Sequence, residues 1–457
     1  MIETDSASSE ILVPGSAAYK KARKHFLKST RNRPADDSFS WSPFRESEKK
    51  YKAKFPPPDL SEVLDLALLD ESREEEVKNG VWKGTANLYN VYEIELEEEI
   101  EPDRSCNKGK KKAYCIPQIP GLVLLPGFLN QKSQRRLVKW SLSEHARGAN
   151  QTNLDVHYEI PDEGIWNMHI QSRLGPKTMI SPRKPEPDAI VAPPGPRQLI
   201  SNTAANPENF KSLSDQPKPP TAPSPNIKPV FVSELVPKLR WANIGWFYHW
   251  GSKQYDFSRG KIDVEEPVKS ICINIVRSIR WEKVFSHETN TDSGHSDWGN
   301  NEPDWHSWHL SYEPDAGIVN YYQYKDTLMG HVDRSEVCAT SPLVSLSLGN
   351  AAVFLVGGST RDAKPVPVLL RSGDAVVMAG PGCRSAYHGV PRILEGTLPS
   401  HFRSAPEYNE DWEEYFRYLR TTRINVNVRQ VFPKGFNPVH QHSADREANH
   451  SLDSFSS

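Results

Sequence analysis

The sequence predicts a mainly β chain with flanking helices (α+β), its strands closed into a barrel or jelly roll. Three observations lead there. Short apolar runs crowd the C-terminal part: GIVNYYQY (317–324), LVSLSLG (343–349), AAVFLVGG (351–358), VPVLLRSGDAVVMAG (366–380) and INVNVRQVF (424–432). Asn and Gly turns separate them, and several short strands at such spacing suggest a barrel or jelly roll. Apolar residues make up 37% of the 457 residues, below the ~45–50% of globular chains. With 38 prolines, one core is expected, but not over the whole length.

Taken in chain order, residues 1–17 read as a flexible tail. AYKKARKHFLKSTRNR (18–33) reads as a basic helix with Tyr19, Ala22, Phe26 and Leu27 on one side. It suits either docking on the core or an arm for nucleic acid. It opens an N-terminal helical extension with charged loops, 18–117. Within that extension IELEEEIEPD (94–103) is acidic and KGKKK (108–112) basic. Such runs suit solvated loops, nuclear import or RNA contact. In 118–172, the first part of the catalytic domain, Leu122 to Leu125 form a strand that ends at Pro126-Gly127. Asn130 then caps a helix that carries Leu137, Val138 and Leu142 inward. Residues 173–237 are Pro- and Ser-rich without apolar period, as a linker or insertion is. The core is expected over 238–432 and a flexible tail over 433–457.

LMGHVDRSEV (328–337) holds His331 and Asp333. In extended chain, residues two apart point to one face, so an imidazole and a carboxylate can take the same ion. His295 and Asp297 have the same spacing, but in a polar stretch with no strand to hold them. SAYHGVPRI (385–393) supplies His388 just after a strand and a Gly-containing turn. Two histidines and one carboxylate are the set of non-haem Fe(II) oxygenases, with coordination positions left open. RINVNVR (423–429) puts Arg423, Asn425, Asn427 and Arg429 on one face of a strand and Ile424, Val426 and Val428 on the other. Arginines inside a barrel need anions. A dicarboxylate such as 2-oxoglutarate offers one at each end, matched by the guanidinium fork.

On these residues the sequence resembles the AlkB family of Fe(II)/2-oxoglutarate dioxygenases. Asn320/Tyr322, His331/Asp333, His388 and Arg423/Asn425/Arg429 match its four-part pattern. LRWANIGWFYHWGSKQYDFS (239–258) adds likeness to the eukaryotic type-1 homologues. The resemblance implies a double-stranded β-helix (jelly-roll) oxygenase core with Fe(II) on His331, Asp333 and His388 and O2 as oxidant. Arg423 and Arg429 would bind 2-oxoglutarate, helped by Asn320, Tyr322 and Asn425. No catalytic residue is expected beyond the metal site, and His295 and Asp297 drop out. In bacterial repair enzymes an Asp two residues after the His-x-Asp contacts the damaged base. Here that residue is Ser335, followed by Glu336, which argues against direct repair of alkylated DNA.

The implied reaction is oxidative demethylation of nucleic acid, with N1-methyladenosine in tRNA ahead of N6-methyladenine in DNA. A base must leave its stack to reach a buried metal, and aromatic side chains hold it there. Trp241, Trp246 and Tyr248 are the candidates, or they pack the barrel. Glu336, Arg361, Arg384 and the N-terminal lysines are further candidate substrate contacts. A protein (histone) hydroxylase or demethylase on the same iron site and a non-catalytic RNA-binding protein are the rival readings.

The net charge of −2 carries no global field, so a nucleic-acid partner must meet a local patch. Five cysteines without a CxxC exclude a disulfide framework and suit a reduced intracellular compartment. Nucleus and cytoplasm are expected ahead of mitochondrion. The N-terminus has no signal-peptide form, no run approaches the ~18 apolar residues of a membrane span, and a monomer is expected.

Overall fold

Alternation along the strand Thr422–Arg429 sets up the architecture. Ile424, Val426 and Val428 are fully buried in the largest apolar cluster, against helices. Arg423, Asn425 and Arg429 point the other way and are buried as well. Both faces of this strand are therefore covered, and its polar side has to find partners inside the protein.

The computed structural model describes residues 16–30, 41–97, 112–185, 203–218, 220–285, 305–408, 412–436 and 438. In chain order its strands are β1 (Leu64–Asp65), β2 (Tyr92–Glu95), β3 (Lys112–Cys115), β4 (Leu122–Leu125), β5 (Met179–Ile180) and β6 (Val230–Phe231). There follow β7 (Trp241–Gly245), β8 (Tyr248–His249), β9 (Gln254–Tyr255), β10 (Ala316–Gln323), β11 (Leu328–His331) and β12 (Leu343–Gly349). The last are β13 (Ala352–Val356), β14 (Val366–Leu370), β15 (Ala375–Met378), β16 (His388–Ile393) and β17 (Thr422–Arg429). An eight-stranded sheet runs β2-β3-β4-β15-β12-β17-β10-β7, and a five-stranded one runs β1-β14-β13-β16-β11. Between them lies a second apolar cluster, to which Leu122, Leu124, Val376 and Met378 come from one sheet and Phe354, Val356, Val368 and Leu370 from the other. This two-sheet jelly roll is the expected mainly β class with flanking helices. Among the described residues no helix is long and apolar enough to cross a membrane.

The element around Pro126-Gly127 matches expectation. Asn130 accepts from Ser133 N (2.8 Å) and caps the helix Gln131–Lys139. Leu137, Val138 and Leu142 are buried. The run 366–380 divides into β14 and β15, because Gly373 takes a φ of 90° and the Asp374 carboxylate accepts from Arg371 N at 2.7 Å. A short helix, Gly380–Arg384, then intervenes before His388 opens β16.

Two domain expectations need correction. The extension 18–117 is not only helical: β1 joins the five-stranded sheet, and β2 and β3 join the eight-stranded one. Tyr92, Ile94 and Leu96 alternate with glutamates, a period-two signal hidden by the acidic composition. The segment 173–237 is not simply a linker. β5 pairs with β6, Phe210 stacks edge-on to Phe432 at 5.5 Å, and Val232, Leu235 and Val236 are in the core. Few apolar residues are involved, each seated on a surface that other elements build, so no local periodicity announces them. At the C-terminal end Phe436 stacks on Phe432 at 5.0 Å. Residues 1–15, 98–111, 186–202, 286–304 and 439–457 lie outside the described residues. His295, Asp297, most of the KGKKK run and most of both expected tails are among them.

Candidate metal and co-substrate site

His331 ends β11 and His388 begins β16, and the two are register partners across the antiparallel pair. Their rings lie 4.4 Å apart. Asp333 follows two residues on, and ligand atoms of His331, Asp333 and His388 all lie within 4.8 Å of one another. Each imidazole is oriented from behind: His331 Nδ1 donates to Met329 O at 2.9 Å and His388 Nδ1 to Ala386 O at 3.1 Å. That tautomer leaves both Nε2 atoms with their lone pairs, as metal-binding histidines require.

The strand carrying His331 is pinned on both sides. Gly330 N donates to Glu48 Oε1 at 2.5 Å, and Gly330 O accepts from Arg361 Nη2 at 2.7 Å. Glu48 belongs to the helix Pro43–Lys52, whose Phe44 ring occupies the space a Cβ on residue 330 would need.

Burial would raise the Asp333 carboxyl, but the Arg429 guanidinium, His388 and His331 outweigh it and hold it well below the usual carboxylate range. Burial, and then His331 beside it, lower His388 to about 4, which keeps its imidazole neutral. Two imidazoles, that of His388 held neutral, and an ionised carboxylate form a donor set that fits a divalent cation.

The co-substrate candidates line the same interior. Asn320 faces Asn425 and Tyr322 faces Arg423 in the β10–β17 register. Arg423 is 1% exposed. It donates to Asn350 O (3.1 Å) and Ser347 Oγ (2.7 Å), while its Nε has no partner among the described residues. No carboxylate pairs with it there, and burial lowers it to about 10. A buried guanidinium held by neutral groups is a cradle for an anion. Asn425 Nδ2 donates to Ser345 Oγ (2.8 Å) and Leu346 O (3.0 Å). Burial raises the Tyr322 hydroxyl, which keeps it protonated as a donor. Arg429 is differently placed: its Nη1 donates to Asp333 Oδ2 (2.9 Å) and Glu336 Oε1 (2.6 Å), and its Nη2 to Asn427 Oδ1 (2.6 Å).

The candidate substrate contacts fare unequally. Trp241 is half-buried and stacks on Trp250 at 4.8 Å, and Tyr248 meets Trp250 edge-on at 5.0 Å. The hairpin β8–β9 carrying Tyr248 is tied to the metal loop, since Ser335 Oγ donates to Lys253 O at 2.9 Å. Arg361 is exposed beside β11, and Lys20, Lys21, Lys24 and Lys28 are exposed on the helix Ala17–Thr30. Three positions are corrected. Trp246 packs among Phe257 and Phe432, its Nε1 donating to Asp315 at 3.2 Å, so no face is left for a base. Glu336 and Arg384 are buried and paired with each other at 3.5 Å, so neither is displayed at the surface as a substrate contact, and Arg384 is out of reach of a phosphate backbone.

Sequence reasoning missed Ser345, Ser347 and Asn350, which hold the asparagine and arginine of β17. Two serines at alternate positions of LVSLSLG were the available signal. It also passed over Trp250, whose 38% exposure marks it.

A sequence model described as the 2OG-Fe(II) oxygenase superfamily matches residues 197–429. An Arabidopsis thaliana protein named DNA N(6)-methyladenine demethylase ALKBH1A is 28% identical over 406 residues, 85% of this chain and 96% of its own length. The Schizosaccharomyces pombe tRNA demethylase abh1 is 27% identical over 395 residues, 85% of this chain and 96% of its own. The solved structure of OsALKBH1 covers 68% of this chain and 97% of its own, with 19% identity and a TM-score of 0.36.

Proposed function

The chain belongs to the 2OG-Fe(II) oxygenase superfamily, as an AlkB-like 2-oxoglutarate-dependent dioxygenase, and from that premise we propose that it demethylates adenine bases in nucleic acid, N1-methyladenosine of tRNA first. The observation that carries the reading is the pairing of two unlike cradles in one interior. A His-Asp-His donor set fit for Fe(II) is joined through Arg429 to the strand that also carries Arg423, a buried guanidinium without an anion among the described residues.

In this reading His331, Asp333 and His388 hold the metal through Nε2, a carboxylate oxygen and Nε2. Arg423 takes the far carboxylate of 2-oxoglutarate, with Tyr322 and Asn320 alongside, while Asn425 stays tied to β12. Arg429 fixes Asp333 and offers its Nε, which lacks a partner among the described residues, to the near carboxylate. Bound Fe(II), 2-oxoglutarate and O2 supply the oxidation of a methyl to a hydroxymethyl group, with succinate and CO2 released. On a ring nitrogen that hydroxymethyl leaves as formaldehyde, and the bare base remains.

What the chain contributes is placement. Trp241, stacked on Trp250, and Tyr248 beside the metal loop provide aromatic surface for a base drawn out of its stack. One S. pombe relative is named as a tRNA demethylase and one A. thaliana relative as a demethylase of N6-methyladenine in DNA. The proposal takes the protein as a monomer.

The test is succinate release by purified protein with Fe(II), 2-oxoglutarate and O2, on tRNA carrying N1-methyladenosine against unmethylated transcript. Stimulation by the methylated tRNA alone supports the proposal. Equal slow release with both moves the substrate to methylated DNA or to a peptide, each added in turn. No release with metal bound leaves only binding.

A further inference from the structure

We propose that Arg384 is a positioning residue for the co-substrate, the counter-charge that lets buried Glu336 orient Arg429 without repelling 2-oxoglutarate. This inference rests on Arg429 receiving a co-substrate carboxylate, as read above.

Glu336 is 2% exposed, and three groups converge on it. Arg429 Nη1 donates to its Oε1 at 2.6 Å, Arg384 Nη2 pairs with its Oε2 at 3.5 Å, and the Tyr255 hydroxyl donates to Oε1 at 3.4 Å. Two guanidiniums thus hold opposite oxygens of one carboxylate. Nη1 of Arg429 is committed twice, to Glu336 and to Asp333 (2.9 Å). Both of its hydrogens are used, so this end of the guanidinium is clamped. What remains is Nε, without a partner among the described residues, and the second hydrogen of Nη2, whose first goes to Asn427. Glu336 therefore decides which edge Arg429 presents to an incoming carboxylate, and a fork must present an edge to bind one in two-pronged fashion.

Charge explains why Arg384 is needed. Asp333 and Glu336 are two anions, and Arg429 and Arg384 two cations, so the buried cluster is neutral. Without Arg384 the four side chains carry one net negative charge, which offsets part of the bound divalent metal's attraction for a dianionic co-substrate where water cannot screen it. Arg384 stands on the short helix Gly380–Arg384, four residues before His388, and pairs with the Glu336 oxygen that Arg429 leaves free. Its only ion pair among the described residues is with Glu336, while its charge is also felt by Asp333 and His388.

The experiment measures 2-oxoglutarate affinity by calorimetry with the Mn(II)-loaded full chain, which binds without turnover. Arg384→Gln is expected to weaken binding about tenfold, the scale of one buried charge. Arg384→Lys, which keeps the charge, is expected to stay near wild type. Adding Glu336→Gln to Arg384→Gln restores neutrality and should recover the affinity, a rescue that damaged packing would not show. Unchanged affinity in Arg384→Gln, or a double variant as weak as the single, overturns the inference. If Arg384→Gln does not fold, Arg384→Lys decides, and binding weaker than wild type by about tenfold or more overturns it. A wild-type chain that binds Mn(II) but no 2-oxoglutarate overturns the reading of the site itself.

Discussion

Arg429 Nη1 lies 2.9 Å from Asp333 Oδ2, while the other oxygen, Oδ1, lies 3.7 Å from His331 Nε2. The candidate metal ligand and the candidate co-substrate residue are thus joined before any ligand arrives. One carboxylate oxygen is anchored on β17, and the other faces the histidines. Asp333 sits in a loop whose own backbone cannot fix it, and the guanidinium does so instead.

Removing a ligand tests the metal assignment. His331→Ala or Asp333→Ala is expected to abolish succinate release and weaken Mn(II) binding at least a hundredfold, since a facial set of three becomes two. Calorimetric Mn(II) titration checks it. Full activity in His331→Ala would sink the assignment.

Arg423→Met separates function from stability. A buried ion without an opposite charge costs the fold, and an apolar side chain of similar volume is often stabilising by ~1–4 kcal/mol. The variant is therefore expected to melt at or above the wild-type temperature while losing 2-oxoglutarate binding by about two orders of magnitude, a lost charge-assisted pair. A destabilised variant that still binds the co-substrate would contradict both halves.

His388 predicts the acid side of stability. Its folded value is about 4 against ~6.5 for an unperturbed imidazole, so the unfolded chain takes up the proton first. Between those values stability falls as pH falls, by up to about 3 kcal/mol for the whole window. Above pH 6.5 this group adds no slope. Thermal melting of metal-free protein from pH 7 to 4.5, compared with His388→Asn, tests it: the variant should lose part of the slope. Identical slopes would show that the acid loss comes from other groups.

Trp250→Ala removes the outer rung of the Trp241–Trp250 stack. Base stacking on an aromatic side chain is worth ~1–3 kcal/mol. The expected result is a rise of about fivefold to a hundredfold in KM for methylated tRNA, with 2-oxoglutarate affinity unchanged. An unaltered KM would remove the stack from the substrate path.

Gly330→Ala probes how β11 is seated. A Cβ there would run into the Phe44 ring, an overpacking that costs ~1–3 kcal/mol. The strand has to shift, and Mn(II) affinity should fall with stability. Phe44→Leu in the same chain makes room and should restore part of both.

The chemistry of this protein was legible in its sequence because it depends on residue type at short spacing. Arg423 to Arg429 lie within one strand, where a period of two decides the face without help from the rest of the chain, and His331-x-Asp333 stands out by its spacing at a strand end. The apolar set Ile424, Val426 and Val428 confirmed that face. The strands of the jelly roll and the Asn130 cap were readable for the same reason.

Only the tertiary structure decided which residues meet across long separations. That His388 is the register partner of His331 follows from β11 pairing with β16, not from a fifty-seven-residue interval. Nothing in the local sequence distinguishes Arg384 and Glu336, buried against each other, from exposed charges open to a substrate. Trp246 and Trp241 stand five residues apart in one aromatic run, yet Asp315, Phe257 and Phe432 close over the first and leave the second half-open. Burial and pairing are properties of what folds over a side chain, so local pattern determines which groups share a face and packing determines which of them remain free to bind.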